Sequence, residues 1–118
     1  MDILQLLDQS NWVKKYEIQD FKQWNDGFYY KLKIVFHDQS ILFAREYMDQ
    51  SERNYSFHWQ DQDAALIIRW DNAPHHDKIA TFPHHKHDKK GIVTENIEIT
   101  IKEVIEIIQV KINKFRVD

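Results

Sequence analysis

"YSFHWQDQDAALIIRWD", residues 55–71, holds two short runs in which apolar and polar side chains alternate. Tyr55, Phe57 and Trp59 alternate with Ser56, His58 and Gln60; Leu66, Ile68 and Trp70 alternate with Ile67, Arg69 and Asp71. A period of two marks a strand with one buried face, so the stretch predicts a β-hairpin. With residues 61–64 as its loop, Trp59 is expected to face Leu66, Phe57 to face Ile68 and Tyr55 to face Trp70. A one-residue slip would send these apolar partners to opposite faces. The other face is then polar, with Ser56 meeting Arg69 and His58 meeting Ile67, and it leads into Asp71 and Asn72.

The same reading extends outward. "FYYKLKIVFH", residues 28–37, puts Phe28, Tyr30, Leu32, Ile34 and Phe36 on one face and Tyr29, Lys31, Lys33 and His37 on the other. "SILFAREYM" follows the turn-like pair Asp38-Gln39 and completes another hairpin. Near the start, "DILQLLD" predicts a short helix burying Ile3, Leu4 and Leu7. Thr100 and Glu103 form a capping-box pattern ahead of Ile101, Val104, Ile105, Ile108 and Ile112, which predicts a helix over about 101–113. The expected fold is α+β: an antiparallel meander of about five strands over about 16–71, with the two helices packed on one face. The whole chain, 1–118, reads as one domain with a long His-rich loop at 72–91.

Composition narrows the function classes. Four Trp, five Tyr and seven Phe supply a core, which excludes a disordered chain. There is no cysteine, which removes disulfides, thiol catalysis and cysteine zinc sites. The longest apolar run is the five residues 64–68, far short of a membrane span, and the acidic start does not match a signal peptide. A cytoplasmic protein with no membrane partner is the expectation. The net charge of −3 argues mildly against a nucleic-acid partner, yet Lys78, Lys86, Lys89 and Lys90 outnumber Asp77 and Asp88 over residues 74–91.

That segment contains "APHHDKIATFPHHKH", residues 73–87, with five of the seven histidines and both prolines. Histidine titrates near neutrality and serves as either acid or base on a phosphate, while Lys or Arg offsets the developing charge. The candidate catalytic residues are His58, Arg69, Asp71, His75, His76, His84, His85 and His87. Arg45, Tyr47, Asn72 and Lys86 are candidates for holding the substrate, and Trp59 is assigned to packing. A metal reading stays open, with His76, His85 and His87 as ligands, although the spacing matches no established ligand pattern. A third reading makes the segment structural, with Asp71-Asn72 as turn residues.

"REYMD", "YSFHWQD", "IRWDNAPHH" and "TFPHHKH", in this order and followed by the T-x-x-E helix start, resemble the TumE family of toxins. The similarity runs from about Tyr16 to Ile108, and the pair "RWDNAPHH…FPHHKH" carries most of its specificity. The resemblance implies growth inhibition and a cognate protein antitoxin, of the helix-turn-helix type that typically accompanies the family. It implies no set of catalytic residues. Analogy with other small toxins points to RNA as target. The leading expectation is therefore a toxin acting as a metal-independent endoribonuclease, with no cofactor and with RNA and an antitoxin as partners. The rivals are a metal-dependent hydrolase or nucleotidyltransferase using the histidines as ligands, and a toxin that binds its target without catalysis.

Overall fold

From Val13 the chain reverses direction six times. A computed structural model describes residues 2–74 and 79–115. Helix α1 (Ile3–Gln9) leads into strands β1 (Val13–Trp24), β2 (Gly27–Phe36), β3 (Ile41–Met48), β4 (Arg53–Gln60), β5 (Leu66–Asp71), β6 (His85–Asp88) and β7 (Val93–Glu95), and helix α2 (Ile101–Phe115) ends the chain. The strands form one sheet in sequence order, each antiparallel to the next. Both helices lie on a single face of it, as the α+β reading expects.

Aspartate sets the reversals. Asp38, Asp49 and Asp61 each follow a strand and Asp88 ends one, and each accepts the N–H two residues on, from Ser40, Ser51, Asp63 and Lys90, at 2.8–2.9 Å. This side-chain mimic of a backbone turn closes the loops after β2, β3 and β4 without glycine, while the loop after β6 also uses Gly91 in the left-handed conformation. Gln39 and Ala64 take the left-handed conformation that the tight turns require. Gly27, at the β1–β2 reversal, is needed for space, because a Cβ there would collide with the Met48 carbonyl.

The buried face carries Leu32, Ile34, Phe36, Leu42, Ala44, Phe57, Trp59 and Trp70, covered by Val104, Ile105, Ile108 and Ile112 of α2 and by Leu7 of α1. The α2 stripe is the one its spacing predicts. Its start is the expected capping box, with Thr100 N bonded to Glu103 Oε1 at 3.1 Å and Glu103 N to Thr100 Oγ1 at 3.2 Å.

A polar staple ties sheet to helix on this face. Glu46, buried, accepts from the Tyr30 hydroxyl at 2.7 Å and from Arg53 Nε at 2.6 Å. The same guanidinium donates to the Ile99 carbonyl at 2.8 Å, just before α2, and lies 4.2 Å from the centre of the Tyr55 ring. Burial, reinforced by the adjacent Glu46 carboxylate, pushes the Tyr30 hydroxyl far above its ordinary range.

Two expectations change. The sheet has seven strands where the apolar pattern suggests about five, because β6 and β7 arise from and beyond the segment read as the loop 72–91. β6 is "HKHD", a polar strand invisible to hydrophobic alternation. The β4–β5 register is also displaced by two residues: Phe57 pairs with Trp70 and Trp59 with Ile68, with an irregularity between Trp59 and Gln60. A shift of two preserves the faces, so the apolar partners stay together. The polar row changes, however: Ser56 now meets Asp71 and His58 meets Arg69.

Candidate functional site

The face away from the helices carries the polar row. Across the strands, Lys31 pairs with Arg45, Arg45 with Ser56, Ser56 with Asp71 and Asp71 with His85. One step along, Lys33 pairs with Phe43, Phe43 with His58, His58 with Arg69 and Arg69 with His87. Directly opposed residues share a face, so three histidines, His58, His85 and His87, and a run of cations meet on one surface.

Asp71 is the hub. Its carboxylate, 6% exposed, accepts from His85 Nε2 at 2.7 Å and from Ala73 N at 3.1 Å on Oδ1. On Oδ2 it meets Arg69 Nε at 3.0 Å and His87 Nε2 at 3.4 Å. A carboxylate so buried persists because cations and N–H donors surround it. His85 is 1% exposed, and its Nδ1 lies 2.9 Å from the Pro83 carbonyl. Both ring nitrogens of His85 thus face acceptors, which fits a ring that holds Asp71 in place. His87, less buried, lies edge-on to His85 with ring centres 4.9 Å apart.

His58 sits beside Arg69 on the neighbouring strand. Burial lowers its pKa, the Arg69 charge lowers it further, and a hydrogen bond with Gln60 opposes both. At neutral pH the ring is therefore neutral, the form a general base requires.

The other candidates are distributed differently. Lys86 pairs with Trp70 and belongs to the opposite side of β6. His84 Nδ1 lies 2.8 Å from the Tyr55 hydroxyl, with the two rings stacked, away from the Asp71 hub. Asn72 is buried, with its amide spent on the β4 backbone: Oδ1 accepts Tyr55 N at 2.9 Å and Nδ2 donates to the Arg53 carbonyl at 2.6 Å. His75 and His76 lie outside the described residues. Trp59 is 3% exposed, a core residue as assigned. Tyr29 was not among the candidates. It stands opposite Tyr47, and with Arg45, Arg69 and Asp71 it lines a cleft of about 420 Å³ next to the hub. Its place on the polar face of "FYYKLKIVFH" is the sequence signal that could have found it.

Among the described residues, Asp71, His85 and His87 form a group that could hold a metal ion, with ligand atoms within 4.8 Å of one another. The donor set fits that role poorly. Arg69 already occupies Oδ2 at 3.0 Å, and a divalent cation there would have to displace a guanidinium from a short ion pair.

The family model described as Toxin TumE matches residues 3–112. The chain belongs to the TumE toxin family. The TumE match spans all seven strands and nearly all of α2. A toxin of this kind works within a toxin–antitoxin module, and an antitoxin is its partner. No match was found among curated proteins or among solved structures. Among the described residues, no helix is long and apolar enough to cross a membrane.

Proposed function

We propose that this TumE toxin is a metal-independent endoribonuclease that cuts at a phosphate held over Arg69. The observation that carries the reading is the flanking of Arg69 by His58 and His87 on the two adjacent strands. Strand spacing sets the two histidine backbones about 10 Å apart, enough to seat one phosphodiester between the rings. His58, neutral, removes the proton from the ribose 2′-OH. The 2′-oxygen attacks phosphorus, and the negative charge that builds on the phosphoryl oxygens is met by Arg69. The bond to the 5′-oxygen breaks, and that oxygen takes a proton from His87, whose charged form is matched by the Asp71 carboxylate. The products are a 2′,3′-cyclic phosphate and a free 5′-OH.

Asp71 and His85 act as positioning residues in this scheme. The antitoxin, proposed to be of the helix-turn-helix type, would neutralise by covering this face. Mapping RNA ends after induction tests the reading. Cyclic phosphate and 5′-OH ends that are absent from a His87→Gln strain support it. Growth arrest by the wild type with no new ends refutes it.

A further inference from the structure

The cleft beside the hub has two chemically different ends. Arg45 and Arg69 line one end, next to Asp71; Tyr29, Tyr47 and Asn54 line the other, with Glu52 at its rim. Tyr29 and Tyr47 are directly opposed across β2 and β3, and Tyr47 pairs with Asn54 across β3 and β4. The Tyr47 ring is pinned twice: its hydroxyl donates to Asp49 Oδ2 at 2.6 Å, and Trp24 packs on it at 5.6 Å between ring centres. The hydrogen bond to Asp49 and burial hold that hydroxyl's pKa up at about 12, so it stays neutral. Beyond the cleft, the cationic row continues through Lys31 and Lys33 on β2, and the acids Glu17 and Asp20 enter only at the β1 edge.

We infer that this cleft takes one unpaired nucleotide of a single-stranded RNA, its base on the Tyr29–Tyr47 pair and its phosphate at the Arg45–Arg69 end. The inference rests on the endoribonuclease reading for the identity of the strand as RNA. Charge orients the nucleotide, because a phosphate is repelled by Glu52 and attracted by the two arginines. Aromatic rings pinned on a sheet surface are the platform on which unstacked bases lie, and every base has a face to offer. A base inside a duplex has both faces covered by its neighbours and cannot reach Tyr29. Lys31 and Lys33 then give the strand a path across the sheet toward β1, a local supply of cations in a chain whose net charge is −3.

The test uses a fluorescein-labelled 12-nucleotide 2′-fluoro RNA of mixed sequence, which cannot be cut, and the same strand annealed to its complement. Anisotropy should show the single strand bound at least tenfold more tightly than the duplex. Tyr29→Leu should weaken single-strand binding roughly five- to hundredfold, the range for losing one base stack, while Tyr29→Phe keeps it. Equal or tighter duplex binding, unchanged affinity in Tyr29→Leu, or no binding of the single strand each overturns the inference. Cleavage of ordinary RNA is read in parallel. Single-strand binding that depends on Tyr29, without cleavage, keeps the cleft assignment and removes the acid–base reading. Cleavage whose KM is unmoved by Tyr29→Leu does the reverse.

Discussion

Replacing Asp71 with Asn keeps the shape of the side chain and removes its charge. The wild-type carboxylate draws together three close donors, His85 Nε2 at 2.7 Å, Arg69 Nε at 3.0 Å and Ala73 N at 3.1 Å. An amide offers one acceptor oxygen, so whichever way it turns, its NH₂ meets a donor. Removing one partner of a fully buried ion pair costs about 3–5 kcal/mol. Arg69 is 40% exposed at its side chain and regains water, whereas His85 at 2% does not. Discounting the arginine share leaves about 2–4 kcal/mol, which for a domain of this size lowers Tm by about 10–15 °C. Urea unfolding followed by tryptophan fluorescence reads this directly, since Trp70 is buried next to Asp71 in the chain. His87→Gln is the control: its contact with Asp71 is long, at 3.4 Å, and its side chain is 23% exposed, so stability should stay within about 1 kcal/mol of the wild type. Both variants should lose RNA cleavage. An Asp71→Asn protein as stable as the wild type would refute the hub.

Other outcomes follow from the same geometry. His58→Gln and His87→Gln, each folded, should lower the cleavage rate by about 10²–10⁴-fold, measured with a fluorogenic RNA. Because His58 has a folded pKa below its unfolded 6.5, its neutral form stabilises the protein above pH 6.5, and that contribution is lost as pH falls below it. Urea midpoints measured from pH 7.5 to 5.5 should therefore fall less in His58→Gln than in the wild type. Glu46→Gln should cost about 2–4 kcal/mol, read by urea unfolding, because it deprives the Arg53 guanidinium of its buried carboxylate partner. Cleavage should persist after dialysis against a chelator; loss restored by a divalent metal would favour Asp71, His85 and His87 as ligands.

The parts of the fold that follow from hydrophobic periodicity were legible. Strands β2 to β5 and the α2 stripe bury residues at the spacing their element demands, so the faces could be assigned from the residues alone. Register was less legible: the loop is one residue longer than the expected 61–64 and the irregularity between Trp59 and Gln60 adds one more, a two-residue displacement to which face assignment is blind. β6 was hidden for a different reason. His85 and His87 alternate with Lys86 and Asp88, and the strand is held by pairing with β5 and by the Asp71 carboxylate rather than by apolar burial. The candidate site was correspondingly half visible. Residue types named Arg69, Asp71, His58 and His87, but only strand pairing separates His87, on the Asp71 side, from His84 and Lys86 on the other.

A carboxylate beside a phosphate site needs an explanation, since a bare anion there would repel the substrate. The burial of Asp71 supplies it. His85, buried deeper than the hub's other partners, satisfies Oδ1 from within, and Arg69 satisfies Oδ2 from the surface side. The negative charge is thus matched by donors before a phosphate arrives, and what the sheet presents outward is the remaining capacity of Arg69, the His87 ring and Arg45 nearby. Alternation along each strand makes this arrangement depend on the opposite face. Arg45 and Tyr47 flank Glu46, whose bonds to Tyr30 and Arg53 fix β3 against the start of α2. A rearrangement of that staple would move the cleft as well, because a strand cannot shift one face without the other. The helix-covered side therefore acts as the rigid mount that keeps the cations of the open side in place, the condition under which fixed charges stabilise a transition state better than mobile ones.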